Sequence, residues 1–258
     1  MKENKSAPLF ITFSTQKGGV GKTALTVITA SYLHYIKGYN VGVIDCDCPQ
    51  YSISEMRDRD IKQIQTNPHY AELASKQFAT LNKSAYPVEA STVTDAITAA
   101  NDMIKSYQTD FDIIFFDLPG TLNTDGFIDT VSEMDYIFPP ISADRLVLES
   151  TLTFALLFSE MFIQTKRSKT KGLYLLWNLV DLREQTELYD EYTKLIQQIG
   201  LNVLSTRLPD TKRFRKELSA RNKPIFRSTM FPVDKHLAKD RRIDEFINEF
   251  CQTIKIER

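Results

Sequence analysis

Three glycines and two lysines crowd into one short segment, QKGGVGKT, from Gln16 to Thr23. An apolar run, Leu9 to Ser14, precedes it and a helical pattern follows it. Glycines let backbone N–H groups approach phosphate oxygens closely, and the start of the following helix adds its dipole. In such a loop a lysine reaches the β- and γ-phosphates and a hydroxyl ligates Mg²⁺. The segment therefore predicts a nucleotide-phosphate site that uses Lys22 and Thr23; the alternative is a glycine turn that binds nothing.

A carboxylate ends a later apolar run. The run IIFFD, Ile113 to Asp117, is apolar throughout before its aspartate, which is typical of a strand buried on both faces. Asp117 at the carboxyl end of such a strand is well placed to hold Mg²⁺ through water. Alone this pattern is weak, but behind the glycine-rich segment it supports a nucleotide site.

Short apolar runs alternate with helical patterns, which is the signature of βαβ units. We predict an α/β fold, with a mostly parallel twisted sheet flanked by helices on both faces, in a single domain over residues 1–258. Strands are predicted at Leu9–Ser14, Val41–Asp45, Ile113–Asp117, Tyr136–Pro139, Leu173–Asn178 and Val203–Leu208. Helices are predicted after Gly21, at Asp95–Tyr107 and at about 145–167, 184–199 and 242–255, with less regular helical excursions over 51–90. The last helix carries an apolar stripe that we expect to pack against the sheet.

Composition restricts the class of protein. The chain has 258 residues, 42% of them hydrophobic, and a net charge of −1, so it has no general bias toward nucleic acid or membranes. No stretch approaches the roughly 18 apolar residues of a spanning helix, and we expect a cytoplasmic protein without a stable membrane anchor. Cys46 and Cys48 lack a second pair to complete a metal site, so we expect reduced cysteines.

The glycine-rich segment departs from the common G-x-x-x-x-G-K-T pattern, because Gln16 replaces its first glycine and Lys17 follows. In this form, KGGxGKT, it resembles the ParA/MinD family of deviant Walker-A ATPases, a group of P-loop NTPases. The resemblance implies ATP and Mg²⁺ as cofactors, and an ATP-sandwich homodimer in which Lys17 reaches the partner's nucleotide. The implied nucleotide-binding residues here are Gly18, Gly19, Val20, Gly21, Lys22, Thr23 and Ala24.

Two further segments are similar to motifs of that family. VGVIDCDCPQ resembles its D-x-D-P-Q motif, although Cys48 is inserted before the proline and Tyr51 stands where a glycine is usual. By this resemblance, Asp45 lies beside Mg²⁺ and Asp47 orients the attacking water; a strand-end turn is the alternative. FDIIFFDLPG resembles the Walker-B strand, with Gly120 in the switch after it. The implied metal ligands are Thr23, Asp45 and Asp117, and the implied catalytic residues are Lys17, Lys22 and Asp47.

The resemblance also implies contacts to the base. Asn178, at the end of LYLLWN, matches an asparagine that contacts adenine, with a helix cap as the alternative. Pro209 and Asp210, in RLPDTKRF, match residues that contact the base through their backbone.

A basic cluster extends from Arg207 to Arg227. This stretch contains eight Lys or Arg and two acidic residues, which gives a local charge of +6. Such clustering is typical of a surface that binds the phosphate backbone of DNA. The resemblance to the ParA-like members of the family implies DNA binding without sequence specificity, through basic residues in this region of the ATP-bound dimer. Our candidates are Arg213, Arg215, Lys216, Arg221 and Lys223. The alternative is a solvated helix face.

Together these features predict a partition-type ATPase that dimerises with ATP, binds DNA and is stimulated by a ParB-like or transfer-complex partner. Its location would be the cytoplasm, on the nucleoid when ATP is bound. The DCDCPQYS variant is also similar to the ParA-like proteins of conjugative transposons called TraA. Competing hypotheses are a MinD-like membrane positioner, a nucleotide-gated adaptor with little turnover, and a metal-cluster relative, which the cysteine pattern disfavours.

Overall fold

The computed structural model describes residues 7–107, 109–121, 124–181, 183, 186–210, 218 and 224–256. Strands and helices alternate along these ranges. The strands are β1 (Leu9–Thr12), β2 (Val41–Asp45), β3 (Val88–Ala90), β4 (Ile113–Asp117), β5 (Tyr136–Ile137), β6 (Pro140–Ile141), β7 (Gly172–Trp177) and β8 (Asn202–Val203). The α-helices are α1 (Lys22–Tyr35), α2 (Ser52–Thr66), α3 (Pro68–Leu81), α4 (Ala96–Ser106), α5 (Phe127–Ser132), α6 (Arg145–Phe158), α7 (Thr186–Gln198), α8 (Lys235–Asp240) and α9 (Ile243–Thr253).

The strands form one sheet in the order β3–β2–β4–β1–β5–β7, and β6 and β8 also pair with β7. Every named strand pairing in the described ranges is parallel. The predicted α/β class with a mostly parallel sheet is therefore confirmed. Because β1 lies between β4 and β5, the chain runs to both sides of β1, and a crevice opens at the carboxyl ends of these strands.

Helices cover both faces of the sheet. On one face, α1, α2, α8 and α9 contribute to a core cluster with strands β1, β2 and β4, and on the other α4 to α7 do so. Phe250 of α9 lies against the rings of Phe13, Phe115 and Phe138, with centroid distances of 6.0, 6.2 and 4.8 Å. The prediction that the last helix packs on the sheet is thus confirmed.

Helix α1 is buried more completely than its pattern predicts. An apolar stripe at Leu25, Ile28, Tyr32 and Ile36 indicates one buried face, yet Thr26, Thr29 and Ser31 are also buried, whereas Ile36 is exposed. The sheet lies on one side of α1, and α2 and α9 contact it as well. The helix that begins at the phosphate segment is therefore held on several sides.

Two predicted strands are shorter than their apolar runs. The run 136–139 forms only β5, and β6 begins just beyond the run; Pro139 and Pro140, where the chain passes from one to the other, have no N–H to donate. Of the run 203–208 only Val203 belongs to a named strand; the N–H groups of Leu204 and Leu208 also donate to carbonyls of β7, but they lie outside β8. Beyond it, the N–H groups of Ser205 and Thr206 donate instead to the Glu249 carboxylate, at 2.6 and 2.8 Å.

Helix α6 corrects the expectation about spanning length. Together with a π-helical turn, Ser159–Ile163, it gives a 19-residue segment with a mean hydropathy of 1.7, which meets the length and composition of a membrane span. Core helices of soluble proteins also meet that test, and Phe154 and Phe158 are buried in the core. However, only 28% of the apolar window is buried, and Leu146 and Met161 are 70% and 53% exposed.

The single tryptophan joins β7 to α7. Trp177 is fully buried at the end of β7, and its ring meets that of Tyr189 edge-on, with the centroids 5.0 Å apart. Its indole Nε1 donates to Thr193 Oγ1 at 2.9 Å. A buried indole N–H needs such an acceptor, so this bond helps to fix α7 on the sheet.

Candidate functional site

The glycine-rich segment forms the turn between β1 and α1. Gly19 and Gly21 have φ values of 78° and 89°, in the left-handed region that favours glycine. The residue just before the segment, Thr15, is held by a hydrogen bond to helix α6. Its buried Oγ1 lies 2.7 Å from the buried Oγ1 of Thr151. The first-turn N–H groups of α1 and its dipole therefore face the crevice, as an anion site requires.

Lys22 and Gly120 lie against each other in this turn. The Lys22 side chain is largely buried, and its Nζ donates to the Lys17 carbonyl at 3.1 Å. Burial lowers the pKa of Lys22, while Asp117 and Asp47 oppose that shift. A Cβ at Gly120 would lie 2.8 Å from Lys22 Nζ and 3.0 Å from the Gly18 backbone nitrogen. Because Gly120 has no side chain, the loop after β4 can pack closely against the phosphate segment. The sequence places Gly120 in the switch after β4 but does not predict this close packing.

Asp117 ends β4 beside this turn. Burial raises its pKa to about 7, an effect reinforced by Asp45 and opposed by the Thr23 hydroxyl and the Lys22 ammonium. Within the described ranges, Asp117 Oδ2 is buried without a hydrogen-bond partner. A buried, unpaired carboxylate oxygen next to a hydroxyl fits a cation site.

The protein ligands available to a metal ion are few. Among the described residues, no group of three His, Cys, Asp or Glu side chains could hold a metal ion alone. Mg²⁺ in nucleotide sites takes few protein ligands and completes its shell with phosphate and water, so Thr23 and Asp117 fit such an ion.

Asp45, the third predicted metal ligand, also has a structural role that its motif does not reveal. Its Oδ2 accepts hydrogen bonds from the N–H groups of Ile53 and Ser54 and from the Ser54 hydroxyl, at 2.9 to 3.0 Å. It therefore caps the first turn of α2. The other oxygen, Oδ1, is buried and unpaired within the described part of the chain. Burial also raises the pKa of Asp45, and the bonds from Ser54 oppose that rise.

Asp47 remains at the site despite the inserted Cys48. Its carbonyl accepts from the N–H groups of Gln50 and Tyr51, at 2.8 and 2.9 Å, in a turn that leads into α2. Tyr51 has a φ of 41°, which explains why glycine suits that position in the resembling motif. The half-buried Asp47 side chain lines the crevice together with the phosphate segment.

Asn178 holds the phosphate segment. Its Nδ2 donates to the Val20 carbonyl at 2.8 Å, and a Cβ at Gly21 would lie only 2.6 Å from that nitrogen. The helix-cap alternative is wrong, because the amide nitrogen binds the phosphate segment and α7 begins later, at Thr186. Asn178 Oδ1 is buried and, within the described ranges, unpaired, so it is free to accept a hydrogen bond from a base.

Most of the predicted nucleotide-binding residues line a cleft of about 560 Å³. Its predicted members are Gly18, Gly19, Gly21, Lys22, Thr23, Ala24, Asp47, Asn178 and Asp210, and its further lining residues are Gln50, Gly120, Leu179 and Arg227. The predicted site residues that do not line it are Lys17, Val20, Asp45, Asp117 and Pro209. Val20 is buried and Pro209 forms an isolated bridge with Val180, whereas Lys17 is exposed. The cleft is large enough for a nucleotide and is lined by the glycine-rich turn with its N–H donors, by Lys22 and by the acidic residues Asp47 and Asp210.

Residues 11–225 match the family model described as the CobQ/CobB/MinD/ParA nucleotide binding domain. The chain belongs to this family. The predicted ParA/MinD resemblance is thereby confirmed, whereas the TraA subgroup stays a prediction. In a comparison with curated proteins, no sequence matches significantly.

Solved structures of the ParA/MinD type share the fold at low identity. A complex of ATP with a single-residue variant of McdA from Cyanothece superposes with a TM-score of 0.61 at 14% identity, covering 98% of this chain and 99% of that one. A ParA family ATPase from Chlorobium tepidum gives 0.57 at 13% identity, covering 96% and 99%. A Borrelia burgdorferi putative plasmid partition protein bound to AMPPNP gives 0.55 at 17%, covering 84% and 93%.

The predicted DNA-binding residues of this family member, Arg213, Arg215, Lys216, Arg221 and Lys223, lie outside the described residues. The ends of the basic cluster are described, and both have other contacts. Arg207 pairs with Asp190 and lies over the Tyr189 ring, 5.7 Å from its centroid. Arg227 lines the nucleotide cleft. The charge available to a DNA surface is therefore smaller than the sequence count indicates.

Proposed function

We propose that this chain is an ATPase that binds ATP with Mg²⁺ in the cleft and hydrolyses it. The observation that carries the proposal is the convergence of Lys22, Asp47 and Asp117 beside the N–H groups of the glycine-rich turn. Steady-state phosphate release, measured with and without DNA, tests turnover. Binding of ATP without any release of phosphate would favour a nucleotide-gated adaptor instead.

Each residue has a distinct task in this proposal. Lys22 contacts the β- and γ-phosphates, and Asp47 orients the attacking water. Thr23 and Asp117, with the unpaired Oδ1 of Asp45, would hold Mg²⁺, which when bound neutralises charge on the phosphates. Catalysis would depend on positioning and electrostatics, since the protein forms no covalent bond to the phosphoryl group.

Lys17 supports a functional dimer. Its side chain is exposed and does not line the cleft of its own subunit, so its ammonium is available to the nucleotide of a second copy. Size-exclusion chromatography with a slowly hydrolysed ATP analogue tests this. Lys17→Ala is expected to keep nucleotide binding and lose the dimer, and loss of both would contradict the division of roles. Lys22→Ala is expected to lose both.

For the cellular role, we favour ATP-dependent, non-specific DNA binding in a partition cycle driven by a ParB-like or transfer-complex partner. The protein would be cytoplasmic, and nucleoid-associated when ATP is bound. The basic cluster supports this, as does the partition protein among the structural relatives.

DNA binding should be measured with ADP, ATP and a slowly hydrolysed analogue at two salt concentrations. It should require ATP and weaken steeply with salt, and indifference to nucleotide would refute the cycle. Arg213→Ala with Arg215→Ala should weaken DNA binding without affecting dimerisation.

One observation favours a second candidate, a membrane-associated positioning ATPase of the MinD type. Leu146, Leu157 and Met161 of the α6 segment are each at least half exposed, and this segment has the hydropathy of a membrane span. Sedimentation with liposomes separates the two candidates. Pelleting that depends on ATP would favour the membrane protein, whereas an unbound protein would favour the DNA-binding one.

A further inference from the structure

Arg227, the last residue of the basic cluster, lines the cleft. Its half-buried side chain lines the cleft together with Asn178, Leu179 and Asp210. The N–H groups and Lys22 occupy the phosphate end, and the carboxylates Asp47 and Asp117 lie near that lysine. Leu179 adds an apolar residue to this lining, and an apolar surface suits a planar base better than a phosphate.

The backbone beside Arg227 runs along α1, away from the glycine-rich turn. The hydroxyl of Ser31 donates to the Ser228 carbonyl at 2.6 Å, and that of Tyr35 donates to the Thr229 carbonyl at 2.8 Å. Ser31 is nine residues beyond Lys22, about 13 Å along the helix axis. Arg227 therefore enters the cleft from the side remote from the terminal phosphate.

Two charged side chains of α2 fix this backbone. The buried Asp60 accepts hydrogen bonds from the Ser228 hydroxyl and from the N–H and hydroxyl of Thr229, at 2.8, 2.7 and 2.9 Å. Arg57 donates to Thr229 Oγ1 at 2.9 Å and to its carbonyl at 3.2 Å, and lies over the Tyr86 ring. The Thr229 hydroxyl thus bridges an acid and a base that are three residues apart on one helix. A buried carboxylate satisfied by three donors holds its partners in one arrangement.

We propose that Arg227 contacts the base of the bound nucleotide, its guanidinium plane covering the purine ring, and that α2 positions it through Thr229. The inference rests on nucleotide binding in this cleft. A guanidinium stacks on aromatic faces and is more weakly hydrated than an ammonium, which makes arginine suited to such a contact. The role differs from phosphate recognition, because it is independent of the number of phosphates.

The decisive measurement is calorimetric affinity for ADP and for a slowly hydrolysed ATP analogue. Arg227→Ala should weaken both by about tenfold, equivalent to about 1.4 kcal/mol. Arg227→Lys should lose nearly as much, because a lysine has charge but no plane. Arg59→Ala, an exposed arginine of α2 paired with Glu55, is the control and should bind normally.

Three outcomes overturn the inference: unchanged affinity in Arg227→Ala, a loss confined to the ATP analogue, or full rescue by Arg227→Lys. A loss for the ATP analogue alone would instead assign Arg227 to the terminal phosphate. If the unmodified protein binds neither nucleotide, the proposed function fails, and that failure is distinguishable from the failure of Arg227.

The positioning role of Thr229 needs a coupled test. Thr229→Val keeps the shape of the side chain but removes the hydroxyl bridge, and should weaken ADP binding about threefold, whereas Thr229→Ser should restore it. In the Arg227→Ala background, Thr229→Val should cause no further loss. An equal loss in both backgrounds would overturn the positioning role. Asp60→Asn, which keeps an acceptor oxygen, provides the same comparison if Thr229→Val does not fold.

Discussion

At the phosphate end of the cleft, the lining residues from Gly18 to Ala24 are nearly consecutive, whereas at the other end Asp210 and Arg227 come from distant parts of the chain, as does Asn178, which bonds to the phosphate segment itself. The first end is built from backbone N–H groups and needs only one turn with the right dihedral angles. The second end needs side chains whose positions depend on β7, α1 and α2. Affinity for phosphate is therefore encoded locally, whereas contact with the base depends on the tertiary structure.

The largest expected effect lies at the phosphate end. Lys22→Ala removes a largely buried ammonium from the glycine-rich turn and should weaken nucleotide binding at least about 100-fold, or about 2.7 kcal/mol. Lys37→Ala, an exposed lysine just after α1 that donates to Asn248, is the control in calorimetry. If Lys22→Ala weakened nucleotide binding no more than Arg227→Ala does, the two ends of the cleft would contribute equally to affinity. The phosphate end would then not be the dominant one.

A smaller effect should come from the loop that closes onto the turn. In Gly120→Ala the added Cβ would lie 3.0 Å from the Gly18 nitrogen and 3.1 Å from the Lys17 carbonyl carbon, so backbone must shift. We expect about a 30-fold loss of ATP affinity from overpacking worth about 2 kcal/mol. Gly200→Asn, at a glycine with φ of 85° and open space around it, should leave affinity unchanged. Normal binding by Gly120→Ala would show that the turn adapts and is not preformed.

The pH dependence should distinguish the two ends. The pKa of Asp117 is raised from 3.8 to about 7 by burial, so its contribution to stability is present below pH 3.8 and is lost as the pH rises through about 7. Cation binding needs the ionised form, whose fraction rises from roughly one tenth at pH 6 to nine tenths at pH 8. The Mg²⁺-dependent part of nucleotide affinity should therefore rise about tenfold over this range.

Asp117→Asn should remove that rise, apart from the titration of the nucleotide itself, which both proteins share. Arg227→Ala should keep it, because Arg227 lies at the other end of the cleft. A pH profile that is flat in the unmodified protein would contradict the ionisation of Asp117 on binding.

The smallest effect should come from the start of α2. Ser54→Ala removes the hydroxyl that donates to Asp45 Oδ2 at 3.0 Å and should lower the free energy of unfolding in urea by about 1 kcal/mol. Thr80→Ala, at an exposed site in α3, should leave it unchanged or slightly higher, because alanine favours helices. Equal effects of the two changes would show that the bond to Asp45 stabilises nothing.

The phosphate end of the cleft could be predicted from the sequence better than the other end. The turn from Gly18 to Thr23 was predictable because consecutive residues supply both its conformation and its donors. Asp117 was predictable because it ends an apolar strand, whereas Asn178 was identified by the resemblance of LYLLWN to a strand of the family. Arg227 was counted in the basic cluster and not among the nucleotide-binding residues, because the sequence carries no signal for the buried contacts that turn residues 228–229 toward α2.

Helix α2 shows why some elements escaped prediction. The sequence indicated only irregular helical excursions over 51–90, because this stretch is polar and Ile53 and Met56 are its only early apolar residues to be buried. Its stability comes partly from polar contacts, of Asp45 with its first turn and of its own Asp60 with Ser228 and Thr229. Periodicity of apolar residues reports packing, and it does not report a buried carboxylate that binds a distant loop.

Trp177 gives this architecture an optical reporter. As the only tryptophan, it accounts for all indole emission, and it directly precedes Asn178 in the cleft. Its ring contacts Tyr189, over which Arg207 from the start of the basic cluster also lies. Intrinsic fluorescence therefore monitors a position beside the cleft and the start of the basic cluster without an added dye, and it can be recorded in real time while a nucleotide or DNA is added.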